Sequence, residues 1–175
     1  DPVDWRILDN DVIKDSSQLT PADFAHFYQL ILQAIAQGLR QFVVLTGTDT
    51  LSYLAAFLAE CFAGSHISIV VTGAMRPLLD SNVLTDYRID AQSDATQNLF
   101  DACKLARHGE PGVRVCFSGE DWPAQTVQKI HSHDLMAFVG HHRAGYPANS
   151  YTSKITQAQH QLWLEDRLSE LPQVF

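Results

Sequence analysis

The residues best suited to chemistry are Thr48 and Asp49, which follow the β-branched run 42–45 and precede an apolar stretch with helical spacing. In open α/β sheets, ligands bind at the carboxyl ends of parallel strands, where turns expose backbone N–H groups. A hydroxyl and a carboxylate held at such a turn can bind a polar substrate or take part in proton transfer. The alternative is that Thr48, Asp49 or Thr50 only caps the following helix. This segment alone leaves both interpretations open.

Two other polar positions could join this turn. Asp15, Ser16 and Ser17 precede the first predicted helix. The two serine hydroxyls and the N–H groups of the turn suit a substrate carboxylate. An Asx or Ser turn before a helix is an equally common reason for such residues. Lys129 lies between apolar stretches. A lysine taken out of water can act as a base or as a partner for Asp49, whereas most lysines lie on the surface.

Alternating helices and strands must position these residues. Apolar residues at helical spacing predict three helices, from Thr20-Pro21 to Gly38, from Leu51 to Phe62 and from Ser93-Asp94 to Gly109. Buried strands are predicted at 42–45, 66–72 and 113–117, followed by shorter strand-like pieces between Ala124 and Val139. This alternation predicts right-handed βαβ units in a three-layer, doubly wound, mostly parallel sheet of the Rossmann-like or flavodoxin-like type.

The composition excludes several classes of protein. With 175 residues and 46% hydrophobic content, the chain can form one domain with a single core. A net charge of -8 argues against a nucleic-acid partner, and no apolar run is long enough to predict a membrane span. The cysteines are few and far apart, which favours buried free thiols and a cytoplasmic setting, with the periplasm left open: Cys61, Cys103 and Cys116.

A metal centre and a phosphate site are both poorly supported. The densest histidines are His131, His133, His141 and His142, and no cysteine or glutamate joins them at a spacing typical of zinc sites. The chain contains neither a GxGxxG nor a P-loop pattern, and it lacks a GxSxG nucleophile elbow. We therefore expect no metal and no cofactor.

Five short motifs occur in a fixed order between about positions 10 and 140. They are Asp-Ser-Ser before Thr-Pro at 15–21, Gly-Thr-Asp-Thr at 47–50, Val-Thr-Gly-Ala-Met-Arg-Pro at 71–77, Ser-Asp with Asn-Leu at 93–99, and a lysine motif at Lys129. Each is weak alone, but the set resembles the large N-terminal domain of the bacterial-type L-asparaginases. Four positions depart from that pattern, namely Thr46, Ala95, Val127 and Gln128.

The resemblance implies an amidohydrolase that converts L-asparagine to L-aspartate and ammonia. It implies a catalytic Thr-Lys-Asp group formed by Thr48, Lys129 and Asp49. It also implies that Asp15, Ser16 and Ser17 hold the α-carboxylate of the substrate, while Asp49 pairs with its α-ammonium group. The small-molecule amide would be bound by a full-length homotetramer or homodimer.

The resemblance also bears on domain organisation. The family's nucleophilic threonine lies on a Thr-Gly-Gly-Thr-Ile-like strand, for which this chain has no match. We therefore expect residues 1–143 to be part of an N-terminal α/β domain and residues 144–175 to be a linker or domain edge, and we expect this fragment alone to be inactive. Two other functions stay open, namely an amidotransferase subunit that releases ammonia for glutamyl-tRNA and an amino-acid sensor on the same fold.

Overall fold

The fold is an α/β sandwich, seen in a computed structural model that describes residues 4–80 and 87–142. Its helices are a short 3-10 helix at Ser16–Gln18, α1 at Pro21–Ala36, α2 at Leu51–Cys61, α3 at Ala95–His108 and a 3-10 turn at Ala124–Thr126. Its strands are β1 at Gln41–Leu45, β2 at Ser68–Thr72, β3 at Gly112–Phe117, β4 at Glu120–Pro123, β5 at Gln128–Lys129 and β6 at Phe138–Val139. The three predicted helices and three predicted strands are confirmed, with ends shifted by one or two residues. The predicted linker at 144–175 lies outside the described residues.

The main sheet has the order β1-β2-β3-β4. The first three strands are parallel, and β4 pairs antiparallel with β3. Strand β2 is buried along its whole length, as its β-branched sequence predicts for a central parallel strand. The mostly parallel α/β sheet expected from the sequence is thereby confirmed.

Strand β4 was not predicted because its residues, Glu-Asp-Trp-Pro, show no alternation of apolar and polar positions. It follows a two-residue turn in which Ser118 and Gly119 both have positive φ, at 51° and 80°. Such a turn matches the twist of antiparallel strands and joins them tightly. The Ser-Gly dipeptide was therefore the available signal for this hairpin.

Helices cover both faces of the sheet. Helix α2 packs with Ile69 and Val71 of β2, and α3 packs with Val70, whose side chain points to the opposite face. The β1-α2-β2 and β2-α3-β3 crossovers both advance one strand in the same direction, yet their helices lie on opposite faces. Two such crossovers must have opposite hands, so the right-handed prediction is wrong for one of them.

Helix α1 begins where the sequence predicts because its first turn is capped on both sides. Thr20 and Asp23 form a capping box, and Pro21 occupies the first helical position. Tyr28 on this helix packs against Phe57 and Phe62 of the α2 region, with ring centroids 6.5 and 5.2 Å apart. The aromatic contacts fix α1 against α2 and thereby place the segment that precedes α1.

Two predictions from composition concern the described residues. Cys116 is buried, whereas Cys61 and Cys103 are only partly buried, so burial was correctly predicted for one thiol of three. Over residues 4–80 and 87–142, no helix is long and apolar enough to cross a membrane.

Candidate active site

The centre of the site is a three-residue contact at the carboxyl end of β1. The chain leaves β1 at Leu45 and turns through 46–50 into α2, and Lys129 reaches this turn from β5. The Lys129 Nζ atom donates to Thr48 Oγ1 at 2.8 Å and to Asp49 Oδ1 at 2.8 Å. The Lys129 side chain is 17% exposed and that of Asp49 is 58% exposed. A largely buried ammonium therefore joins a hydroxyl to a carboxylate that solvent or a ligand can still reach.

Helix capping does not account for the polar residues of this turn. Thr50 is the N-cap of α2, but its side chain makes no capping hydrogen bond. Its hydroxyl instead donates to the backbone oxygen of Ser16 at 3.0 Å. Since Thr48 and Asp49 both turn toward Lys129, the capping interpretation is wrong for all three residues.

Ser16 lies directly against the same turn. Its side chain is buried, and its Oγ atom accepts a hydrogen bond from the Asp49 N–H at 3.3 Å. A Cβ atom on Gly47 would stand 2.4 Å from Ser16 Oγ, so only glycine permits this approach. One of the three residues predicted to bind the substrate is thus brought next to Thr48 and Asp49.

Asp15 and Ser17 flank Ser16 on the exposed side of the 3-10 helix. Asp15 Oδ1 accepts from the Ser17 backbone N–H at 2.9 Å and from Ser17 Oγ at 2.6 Å. These hydrogen bonds, the side-chain one first, hold the pKa of Asp15 below its ordinary value. Both residues therefore form the Asx-type turn considered as an alternative, and their contact with a substrate stays a prediction.

Asp23 ties the segment that carries Ser16 at both of its ends. Lys14 Nζ donates to both carboxylate oxygens of Asp23, at 2.7 and 2.9 Å. The Thr20 backbone N–H and hydroxyl donate to Asp23 Oδ2 at 2.7 and 2.8 Å. The Lys14 hydrogen bond, as the largest cause, holds the pKa of this carboxyl below its ordinary value. Residues 15–19 are therefore held as a loop closed by one buried carboxylate.

The turn after β2 approaches the turn after β1 without space for a side chain. A Cβ atom on Gly73 would stand 2.2 Å from the Thr46 backbone oxygen. Asp94 holds the residues that follow by accepting from the N–H groups of Met75 and Arg76, at 3.0 and 2.9 Å. The close approach of the two turns places both at one edge of the sheet, beside Thr48.

Asn98 belongs to one of the five sequence motifs, but the sequence did not indicate its role. It is 1% exposed, and its Nδ2 atom donates to the Gly73 backbone oxygen and to Asp94 Oδ2, both at 2.9 Å. A buried amide with several partners fixes the groups around it. The available signal was the pair of polar residues Asp94 and Asn98, four positions apart at the start of an amphipathic helix.

The described residues contain no grouping of three or more His, Cys, Asp or Glu side chains that could hold a metal ion. The histidines singled out from the sequence, His131, His133, His141 and His142, are all exposed in the structure. Among the described residues, the groups at the Thr48 turn that can do chemistry are the Thr48 hydroxyl, the Lys129 ammonium and the Asp49 carboxylate.

Comparison with known proteins shows which family the chain matches. Residues 7–161 match the family model described as "Asparaginase, N-terminal". The L-asparaginase of Thermococcus kodakarensis is 31% identical over 149 residues, which are 83% of this chain and 40% of that protein. The crystal structure of a probable cytoplasmic L-asparaginase from Campylobacter jejuni superposes with a TM-score of 0.62 and 28% identity, covering 73% of this chain and 38% of that one.

A second group of relatives consists of amidotransferase subunits. A glutamyl-tRNA(Gln) amidotransferase subunit from Methanopyrus kandleri is 30% identical over 130 residues, which are 72% of this chain and 26% of that protein. The chain spans about 40% or less of the length of these relatives.

Proposed function

Because the chain belongs to the asparaginase family, we propose that the protein hydrolyses the side-chain amide of L-asparagine to L-aspartate and ammonia. The observation that carries this proposal is the contact of Lys129 Nζ with both Thr48 Oγ1 and Asp49 Oδ1 at 2.8 Å. Acyl transfer from an amide needs a hydroxyl that can lose its proton to an adjacent base. The three side chains supply that pair of groups and a carboxylate that balances the charge of the base.

The proposed chemistry of this group is proton transfer. In its neutral form, Lys129 accepts the Thr48 hydroxyl proton across the 2.8 Å separation, and in its charged form it donates back along the same line. Asp49 stabilises the charged form through its own contact with Nζ. The Thr48 N–H, at the turn that leads into α2, is proposed to donate to the oxyanion of the tetrahedral intermediate.

The proposed substrate contacts match an amino-acid zwitterion. The Asp49 carboxylate, more than half exposed, would pair with the α-ammonium group of asparagine. The adjacent segment of Asp15, Ser16 and Ser17 would bind the α-carboxylate through hydroxyl and backbone N–H groups. The Ser17 N–H and hydroxyl, which donate to Asp15 in this structure, would turn to the substrate carboxylate, and Asp15 would be oriented away from it.

Further proposals rest on the family resemblance alone. A second threonine, not assigned to any residue of this chain, would attack the amide carbon, with Thr48 and Lys129 moving protons. Residues 1–143 would form part of the N-terminal domain and residues 144–175 would connect it to another. We propose a cytoplasmic homotetramer or homodimer that needs no cofactor.

The test is ammonia release from L-asparagine by the full-length protein that contains this chain. Thr48→Ala and Lys129→Met are each expected to lower kcat by a hundredfold or more, about 3 kcal/mol of barrier. Lys104→Met is the matched control, since Lys104 is an exposed lysine on α3 and its loss should leave the rate unchanged. Wild-type protein that releases no ammonia from asparagine, or a Lys129→Met variant with full activity, would refute the proposal.

Two binding measurements separate the alternatives from this proposal. A protein that binds asparagine in calorimetry but releases no ammonia would be an amino-acid sensor. The similarity to the Methanopyrus kandleri protein favours a second candidate, an ammonia donor to glutamyl-tRNA. That candidate requires tRNA binding, against which the net charge of -8 argues. A shift of labelled tRNA in a native gel would support it.

A further inference from the structure

Ser118 has an unusual backbone for a residue with a side chain. It occupies the first position of the β3–β4 turn with φ of 51°, in the left-handed region. Glycine, asparagine and aspartate are the residues that normally take this position, because other side chains are strained there. A serine in such a conformation needs a compensating interaction, and its side chain makes a specific contact here.

That contact joins the turn to the loop between β5 and β6. Ser118 Oγ donates to the Leu135 backbone oxygen at 2.6 Å. The Ser118 N–H donates to Oδ1 of the buried Asn98 at 3.0 Å. Asn98 is fixed in turn to the Gly73 backbone oxygen, so the turn rests on a rigid part of the fold. Ser118 therefore links the Leu135 loop to Asn98 and, through Asn98, to the turn after β2.

The Leu135 loop connects β5, on which Lys129 lies, to β6. Strand β6 pairs with β5, with Phe138 opposite Lys129, and the Ile130 N–H donates to the Ala137 backbone oxygen at 2.7 Å. The ring of Phe138 also packs on Phe117, with centroids 4.7 Å apart. A hairpin with strands of only two residues has little stability of its own. Two connections therefore join it to the end of β3, and the burial of Ala137 and Phe138 in the core adds to them.

We propose that Ser118 is a positioning residue that holds the β5–β6 hairpin so that Lys129 Nζ stays in contact with Thr48 and Asp49. The expected effect on kcat rests on the proposed function, whereas the expected position of Lys129 does not. Ser118 does not reach the Thr48 turn, and it acts only through the hairpin. Loss of its hydroxyl would let Lys129 shift, and a displacement of about 1 Å can slow a reaction by as much as a hundredfold.

The first variant is Ser118→Gly in the full-length protein. Glycine adopts the required φ without strain, so the turn should form and Tm should stay within about 4 °C of wild type. We expect kcat for asparagine to fall about tenfold or more while KM changes little, because the substrate contacts lie on other elements. Ser65→Gly, in the turn after α2 at the opposite end of the sheet, is the matched control and should leave kcat unchanged. An unchanged kcat in Ser118→Gly would overturn the proposal.

A double-mutant cycle tests whether Ser118 acts through Lys129. In the Lys129→Met background, Ser118→Gly should produce no further loss of residual activity, since the side chain that it positions is gone. If instead the two losses multiply, Ser118 has a structural effect unrelated to Lys129 and the proposal is wrong.

Lysine acylation tests the geometry without any assumption about activity. Limited reaction with acetic anhydride, followed by mass spectrometry, compares Lys129 with the exposed Lys104 in the same sample. In Ser118→Gly, the Lys129 to Lys104 ratio should rise several-fold over wild type, and in Ser65→Gly it should not. An unchanged ratio refutes the positioning role. A raised ratio in a protein without asparaginase activity would support the positioning role and reject only the proposed function.

Discussion

The approach of Ser16 to the Thr48 turn depends on Gly47, and Gly47→Ala tests it directly. The φ of Gly47 lies outside the left-handed region, so alanine can adopt its backbone and only contacts decide the outcome. The added Cβ would lie 2.4 Å from Ser16 Oγ and 2.6 Å from Ser16 Cβ. The first distance is about 1 Å shorter than ordinary van der Waals contact. Ser16 cannot rotate away from both clashes, so its segment must shift.

The expected cost follows from two effects of that shift. Overpacking of a buried contact costs about 1–3 kcal/mol. The hydrogen bond from the Asp49 N–H to Ser16 Oγ is lost as well, at about 1 kcal/mol. Alanine also lowers the conformational entropy of the unfolded chain, which stabilises the folded state by about 0.4–1 kcal/mol. We therefore expect a net loss of about 2 kcal/mol in the free energy of unfolding, which lowers Tm by about 4–8 °C.

The assay is urea unfolding of wild type, Gly47→Ala, Ser16→Gly and the double variant. Ser16→Gly removes both atoms that meet the new Cβ, so Gly47→Ala should cost almost nothing in that background. In the enzyme assay, Gly47→Ala should raise KM for asparagine because the substrate-binding segment moves. A fully stable Gly47→Ala variant, or strictly additive losses in the double variant, would refute the close contact between these residues.

Three further predictions concern the groups that hold the site and the core. The lowered pKa of Asp23 means that its ion pair with Lys14 stabilises the fold above about pH 4 and that this contribution is lost as pH falls through the lowered pKa. Asp23→Asn should therefore be less stable at pH 7 and lose less stability between pH 7 and pH 3, and equal losses in urea melts would contradict this. Burial raises the pKa of the Cys116 thiol to about 12, so its thiolate fraction at pH 8 is about a thousandfold below that of an ordinary thiol. Iodoacetamide should leave Cys116 unmodified in the native protein and alkylate it in urea, and rapid native labelling would show that the burial is wrong. Asn98→Ala removes three hydrogen bonds from a buried position and should cost about 3 kcal/mol by urea unfolding, whereas a loss below 1 kcal/mol would mean that water replaces the amide.

The helices and parallel strands could be predicted because their causes are local. The Thr20-Pro21 cap with Asp23 specifies where α1 begins, and the β-branched residues of β2 specify a buried strand. The hairpin of β4 was missed, since its strand has no periodic pattern and only the Ser118-Gly119 turn indicates it. The hand of one crossover was also predicted wrongly, because handedness depends on which face of the sheet accepts a helix.

The amino-acid sequence by itself determined the order of the three long helices and the three parallel strands, the α/β class and the chemical types gathered in short motifs, including Thr48, Asp49 and Lys129. The family resemblance implied that Lys129 and Thr48 act together, but only the tertiary structure shows their contact across 81 residues of chain. Only the tertiary structure also shows that the Thr50 hydroxyl binds Ser16 instead of forming a capping hydrogen bond. The physical reason is range. Capping, turns and periodicity act over a few residues and are readable along the chain. The position of a side chain in the site depends on sheet pairing and close packing between distant segments, which no local pattern records.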